Sequence, residues 1–211
     1  MFGDPIENPK GWPRVELDEV LDGIDSGKSP VCLSRPATPG EWGVLKLSAV
    51  TYGRYNASEN KALPEGTAPG QNLEVRPGDL LFSRKNTYSL VGAVVLVRET
   101  PKRMLLPDLI FRLRLGEPQM LTASYLHQLL MYPSKRKEVR SLAGGAAGSM
   151  PNISKGRLLK LRVEVPPMSL QEEYARVVER LEQHRRLIGA QLHCLEAGLD
   201  SLQATAFSAR L

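Results

Sequence analysis

The sequence predicts a mixed α/β domain over residues 1–168, followed by a long coiled-coil helix over residues 169–211. Three observations lead to this fold class. Short apolar runs rich in β-branched residues, separated by glycine and proline, predict strands. Two segments with helical spacing and capping residues follow them. After residue 168 there is no proline, and apolar residues recur at alternating intervals of four and three positions, which is typical of a coiled coil.

The first predicted elements are a short helix and a loop. Residues 15–21 place apolar side chains at helical spacing, and Gly23 is expected to end that helix. Residues 26–43 are dense in proline and glycine, which predicts a loop. Strands are predicted at the four apolar runs that follow, which are residues 44–47, 79–83, 91–97 and 109–115.

Two helices and one strand are predicted before the coiled coil. Thr122 and Ser134 are candidate N-caps of the two successive helices. Residues 161–165 form a short apolar run that predicts a strand. Ser169 and Glu172 have the spacing of a capping box, so the long helix is expected to begin there.

The seam of the long helix is apolar at nine of ten positions, with Arg185 as the exception. A helix of roughly 38 residues is about 57 Å long, so we expect it to pair with a helix of another chain. The alternative is an intrachain hairpin, although no second helix of similar length is predicted. The apolar positions of this predicted pairing seam are Tyr174, Val178, Leu181, Ile188, Leu192, Leu195, Leu199, Leu202 and Ala206.

Positive charge is concentrated in the predicted domain. The chain carries a net charge of +5, and residues 134–162 contain eight basic residues against one acidic residue. Such clusters attract polyanions through counterion release, which favours a nucleic-acid partner; a solvated basic surface is the alternative. The basic residues that we expect to contact phosphates are Lys135, Arg136, Lys137, Arg140, Lys155 and Arg157.

Composition argues against several other classes of protein. No run approaches the roughly 18 apolar residues that a membrane span needs, and the first residues lack the pattern of a secretory signal. Cys32 and Cys194 match no metal-ligand spacing. We therefore expect a cytoplasmic protein with no membrane contact and no metal site.

Four ordered motifs resemble those of the specificity subunits of Type I restriction–modification systems. They correspond to the entry into a recognition domain, its central motif, its exit, and the end of the helix that follows. The matching segments are FGDP at 2–5 with GW at 11–12, VRPGDLLFSR at 75–84 with LVG at 90–92, GSMPNIS at 148–154 with VPP at 165–167, and SLQATAF at 201–207.

The resemblance implies a noncatalytic half-subunit with one target recognition domain and one spacer helix, whereas a full subunit has two of each. It implies that the chain binds double-stranded DNA, reads half of a bipartite target and scaffolds methyltransferase subunits, with a restriction subunit as a further partner. Helix pairing with a second copy or with a different recognition half would set the spacing of the two half-sites. The resemblance implies no cofactor in this chain, because the methyltransferase partner would hold S-adenosylmethionine.

Two polar segments are candidates for DNA contact. Arg and Asn side chains can bond guanine and adenine edges, whereas Lys and Ser suit phosphates. An exposed hairpin without a DNA role is the alternative for the first segment. The loop at 144–149 either offers backbone N–H groups to a phosphate or is a connector. The candidate residues are Ser83, Arg84, Lys85, Asn86 and Tyr88 in the first segment, and Tyr52, Arg54 and Asn56 in the second.

No catalytic residues are expected. An adenine methyltransferase needs an Asn/Asp-Pro-Pro-aromatic loop, and the single Pro-Pro pair here, Pro166-Pro167, lacks that context. Asp108 has no Glu-x-Lys partner of the kind that a metal-dependent nuclease uses. The alternatives are a stand-alone coiled-coil protein with a structural or nucleic-acid-binding role, and an intrinsic nuclease or methyltransferase. The absence of a stacking aromatic pair in a strand argues against an RNA recognition fold.

Overall fold

The structure is a computed structural model that describes residues 1–67, 71–144 and 150–208. It has the predicted fold class, a mixed α/β body and a long C-terminal helix. The chain divides into two compact units, Met1–Gln171 and Glu172–Leu211. The strands are β1 (Arg14–Glu16), β2 (Leu21–Ser26), β3 (Gly43–Leu45), β4 (Asn60–Ala62), β5 (Leu80–Ser83), β6 (Val94–Leu96), β7 (Met104–Leu105), β8 (Ile110–Leu115) and β9 (Arg162–Glu164). The α-helices are α1 (Leu17–Val20), α2 (Ser48–Thr51), α3 (Ala123–Met131), α4 (Pro133–Ser141), α5 (Lys155–Leu159) and α6 (Met168–Ser208).

A four-stranded antiparallel sheet in the order β2-β8-β5-β6 forms the centre of the first unit. Successive side chains of a strand point to opposite faces, and β5 shows this alternation. Leu80 and Phe82 pack into the larger core cluster with side chains from α3, α4 and α5. Leu81 packs into a second cluster with α2, β3 and β7. The central sheet is therefore covered on both faces.

Two smaller sheets complete the first unit. Strand β3 lies between β4, to which it is antiparallel, and β7, to which it is parallel. Strands β1 and β9 pair with each other, with Val15 opposite Val163. This pairing joins the beginning of the unit to the segment that leads into α6.

The four predicted strands of the first part of the chain are confirmed as β3, β5, β6 and β8, and the strand predicted at 161–165 is confirmed as β9. Thr122 caps α3 as predicted, because its hydroxyl accepts a hydrogen bond from the Tyr125 N–H at 3.2 Å. The helix predicted at 15–21 is confirmed for four of its seven residues and is wrong at both ends. Only Leu17–Val20 is helical, because the flanking residues pair as strands with β9 and β8.

Two predicted caps are wrong. Helix α4 begins at Pro133, which has no N–H to satisfy and suits the first turn. Ser134 therefore lies inside that turn, where its hydroxyl bonds the Asp4 carboxylate at 3.0 Å. Helix α6 begins at Met168, so Ser169 also lies within the helix instead of preceding it.

Helix α6 contains 41 residues, which corresponds to a length of about 60 Å at 1.5 Å per residue. Its buried residue Gln171 is the last residue of the first unit. The Gln171 amide accepts from Thr122 N at 2.8 Å and donates to Pro166 O at 2.8 Å. Beyond Gln171 the large apolar side chains of the predicted seam are half-buried or exposed. None of the helices that the structure describes combines the length and the hydropathy required to cross a membrane.

Candidate nucleic-acid interface

A basic cleft lies at the end of strand β5. Its positively charged side chains come from the loop after β5 and from α5, and its one acidic lining residue is Asp108. Backbone hydrogen bonds bring these distant segments together, since Ile153 N donates to Arg84 O at 2.8 Å. The residues that define the basic cleft are Arg84, Lys85, Asp108, Leu109, Gly144, Met150, Asn152, Ser154 and Arg157.

The Arg84 guanidinium is fixed within this cleft. Its Nε donates to Asn152 Oδ1 at 3.1 Å, and its Cζ lies 5.0 Å from the centre of the Phe111 ring. The ring is buried in the core, so the guanidinium group contacts a rigid surface. A hydrogen bond and a cation–π contact together leave this side chain little rotational freedom.

Lys155 and Arg157 both lie on α5, and Arg157 lines the basic cleft. Lys155 Nζ donates to Ile24 O at 2.7 Å and lies 5.7 Å from the Phe111 ring centre. Arg157 donates to Leu142 O at 3.2 Å. Both side chains are exposed, so they keep donors that can face a phosphate. The structure thus brings together Arg84, Lys155 and Arg157, which are far apart in the sequence.

Ser83 and Asn86 are corrections to the predicted set of DNA contacts. The Ser83 side chain is completely buried, because it is the last inward residue of β5. Asn86 is also buried, and its amide group accepts from Thr87 N at 2.8 Å and donates to Thr51 Oγ1 at 3.1 Å. Neither side chain can reach a base edge, and Asn86 instead connects its loop to the end of α2.

Four candidates of the two loops are exposed, and they are Tyr52, Arg54, Asn56 and Tyr88. Tyr52 and Tyr88 expose 78% and 63% of their surface, which is unusual for large aromatic side chains. Asn56 is exposed too, but its Oδ1 accepts from Ser58 N and from the Ser58 hydroxyl, at 3.1 and 2.7 Å. Asn56 therefore organises its own turn.

Lys135 is the clearest correction among the predicted phosphate contacts. It is 1% exposed, and its Nζ donates to Glu138 Oε2 at 3.0 Å, Arg162 O at 2.8 Å and Glu164 Oε1 at 3.2 Å. Lys135 lies one turn before the buried Val139, on the inner face of α4. All three of its N–H donors are used inside the protein.

The other basic residues of α4 differ from Lys135 in their burial and hydrogen bonding. Arg136 donates to Leu90 O at 3.1 Å, while its Nη1 and the Nε of Arg140 are buried without a hydrogen-bond partner among the described residues. Burial, followed by the positive charge of Arg140, lowers the pKa of Arg136 to about 10. Lys137 is exposed. Arg136 and Arg140 are half-buried, and because these two unpaired nitrogens are themselves buried, a phosphate on the surface would not reach them.

No group of three or more His, Cys, Asp or Glu side chains in the described ranges could hold a metal ion. Residues 145–149 of the predicted phosphate-binding loop lie outside the residues that the structure describes. Asn152 is the cleft residue that the sequence reasoning missed as a functional candidate. It lies inside the exit motif at 148–154, which is the signal that could have indicated it.

Comparison with curated proteins confirms the resemblance seen in the motifs. The chain is 32% identical to the EcoEI Type I restriction enzyme specificity subunit of Escherichia coli, over 93% of this chain and 34% of that protein. It is 25% identical to the EcoKI specificity subunit of Escherichia coli K12, over 90% of this chain and 40% of that protein. The chain thus spans about a third to two fifths of these relatives. No protein-family model matches it.

Solved structures confirm the fold class. A chain from a structure of a type I restriction–modification system has a TM-score of 0.54 at 20% identity and covers 93% of this chain and 45% of its own. The specificity subunit from M. genitalium has a TM-score of 0.53 at 16% identity, over 82% of this chain and 39% of that one. At these identities the likeness concerns the fold alone.

Proposed function

Because the chain is homologous to part of the specificity subunits of Type I restriction enzymes, we propose that it binds double-stranded DNA and reads one half of a bipartite target. The observation that carries this proposal is the relation to the EcoEI subunit, which extends over 93% of this chain. The relatives are named for specificity, and we propose that this chain is likewise noncatalytic.

In this proposal the basic cleft faces the DNA. Phosphate contacts fix the position of a protein on the duplex, and base contacts read the sequence. Lys85 and Arg157 in the cleft, and Lys137 on α4, are exposed or half-exposed cations suited to phosphates. Tyr52 and Tyr88 add exposed rings beside polar groups. These features support a wet, basic interface of the kind that DNA-binding proteins use.

We propose that α6 pairs with a helix from a second recognition half, identical or different. Its seam is apolar, and Leu181, Leu195 and Leu202 expose 63–71% of their surface. A paired spacer would hold two DNA-reading units at a fixed distance. Methyltransferase subunits would then bind the assembly and supply S-adenosylmethionine chemistry on an adenine flipped out of the duplex, with a restriction subunit as a further partner.

The test is the salt dependence of duplex binding. Each phosphate contact contributes about 0.9 to the slope of log K against log salt, so Lys137→Gln and Arg157→Gln should each lower the slope by about one unit. Lys10→Gln removes the same charge from an exposed turn outside the cleft and serves as the matched control, with no change in slope expected. Fluorescence anisotropy on labelled duplex at several salt concentrations measures all three variants.

A single-stranded competitor separates this proposal from other nucleic-acid roles. Duplex competitor should displace the labelled duplex at lower concentration than single-stranded DNA or RNA of the same sequence. Equal displacement by the single strands, or salt slopes that both Lys137→Gln and Arg157→Gln leave unchanged, would contradict the proposed function.

A further inference from the structure

Two neighbouring cations in the basic cleft are held in very different ways. Arg84 has its Nε bonded to Asn152 and its Cζ 5.0 Å from the centre of the Phe111 ring. Lys85 is half-exposed, and its ammonium group makes no hydrogen bond or ion pair with the described residues. A free ammonium at the end of a flexible chain suits a phosphate, which accepts a cation from many directions. A fixed planar group suits a partner of defined geometry.

The remaining donors of Arg84 define that partner. Nη1 and Nη2 have no hydrogen-bond partner among the residues that the structure describes, and together they form the outer edge of the guanidinium fork. Two parallel N–H donors match two adjacent acceptors. In the major groove only guanine presents such a pair, O6 and N7, whereas adenine places a donor beside its N7.

Asn152 is the residue that fixes this orientation. Its backbone exchanges two hydrogen bonds with Gly144, at 2.8 and 3.0 Å, so the position of its side chain is set by the main chain. Within the described residues, the hydrogen bond to Arg84 Nε is the one that its side chain makes. The amide therefore contributes to the orientation of Arg84 and little to the rest of the fold.

We propose that Arg84 reads a guanine of the target through its two terminal nitrogens, and that Asn152 is a positioning residue that holds Arg84 for this contact. This inference rests on the proposed function, since it assumes that the basic cleft faces duplex DNA. Holding the guanidinium before binding reduces the conformational entropy lost on binding. The preference for guanine at one position of the target is the measurable consequence.

The experiment selects bound sequences from a randomised duplex library with the full chain and its variants. The wild type should enrich guanine at one position. Arg84→Ala should lower the preference for guanine there by about 5- to 150-fold, and Asn152→Ala by about 2- to 12-fold. Asn152→Asp keeps an acceptor for Arg84 Nε, so it should retain the preference. Thermal unfolding confirms that each variant is folded.

Two further measurements test the contact at the level of atoms. Replacing the selected guanine by 7-deazaguanine removes N7, and this should weaken binding by the wild type but not by Arg84→Ala. In the Arg84→Ala background, Asn152→Ala should cause no further loss of preference, because Asn152 acts through Arg84. A residue with a general structural role would instead give an additive loss.

The outcomes distinguish this inference from the function on which it rests. Duplex binding with a steep salt dependence, but with a sequence preference that Arg84→Ala leaves intact, overturns the inference and leaves the proposed function standing. If Arg84→Ala weakens binding equally for all sequences, Arg84 contacts a phosphate. That result also overturns the inference that Arg84 reads a guanine. Absence of duplex binding by the wild type overturns both.

Discussion

The two units of the chain differ in how far they bury their apolar side chains. In the first unit Phe82 and Phe111 are at most 1% exposed and lie at the centre of a sheet that is covered on both faces. In helix α6 beyond Gln171, the leucines of the seam expose more than half of their surface. Burial of apolar surface is the main favourable contribution to folding. The first unit therefore contains its own source of stability, whereas α6 lacks one within the described part of the chain.

The two units also differ in the burial of their ion pairs. In the first unit Lys135 and Glu164 are both buried and depend on each other. In α6, Arg185 pairs with Glu182 and Arg186 pairs with Glu179 on an exposed surface, where each pair contributes well under 1 kcal/mol. The first unit thus keeps charged side chains inside its own fold, whereas the charged side chains of α6 pair along the surface of the helix.

The largest expected effect tests whether α6 requires a partner. Leu195→Asp places a charge in the proposed paired seam, and loss of a buried leucine costs about 2–5 kcal/mol, twice in a symmetric pair. We expect analytical ultracentrifugation to show a paired wild type and a variant sedimenting as a single chain.

His193→Asp is the matched control, because His193 is exposed and lies outside the seam. It introduces the same residue on the same helix and should leave the sedimenting mass unchanged. If Leu195→Asp kept the mass of the wild type, α6 would not pair through this seam.

The second effect tests whether the first unit is internally stabilised. Lys135→Met removes the partner of the buried Glu164, and breaking a buried ion pair costs about 3–5 kcal/mol. Arg14 Nε still bonds Glu164 at 2.9 Å, so we expect about 3 kcal/mol, at the lower end of that range. Chemical denaturation followed by circular dichroism measures the loss.

Lys137→Met provides the control for this prediction, since Lys137 lies on the same helix but is exposed. It should change the free energy of unfolding by less than about 0.5 kcal/mol. Equal losses in the two variants would mean that the Lys135–Glu164 pair does not stabilise the first unit.

The sequence predicted the elements whose signals are local. The apolar runs of β5 and β8 and the Thr122 cap of α3 each lie within a few residues of the element they define. The helix predicted at 15–21 was wrong at its ends, because residues 15 and 16 pair with β9, near the other end of the first unit, and Leu21 pairs with β8. Propensity gives way to such tertiary pairing because the ladder hydrogen bonds and burial outweigh it.

The residues of the candidate site were likewise predictable only where the signal was local in the sequence. Arg84 follows an apolar strand within a recognisable motif, so its position at the cleft follows from local sequence. Lys135 lies in a run of charged residues that indicates an exposed surface, and its burial depends on Glu164, 29 positions later. Asn152 has no charge and no periodicity to mark it. The residues whose role depends on distant partners were the ones missed.

The smallest expected effect tests whether the stability of the first unit is independent of the pairing of α6. Thr122→Ala removes the side-chain oxygen that accepts the Tyr125 N–H, and loss of such a cap costs about 1 kcal/mol. Thr122→Ser keeps the hydroxyl and should unfold close to the wild type. The loss should be the same at low and high protein concentration, because α3 is stabilised inside its own unit, whereas stability gained through pairing of α6 rises with concentration. A Thr122→Ala effect that varied with protein concentration would mean that the fold of the first unit depends on the pairing of α6, and the distinction between the two units would fail.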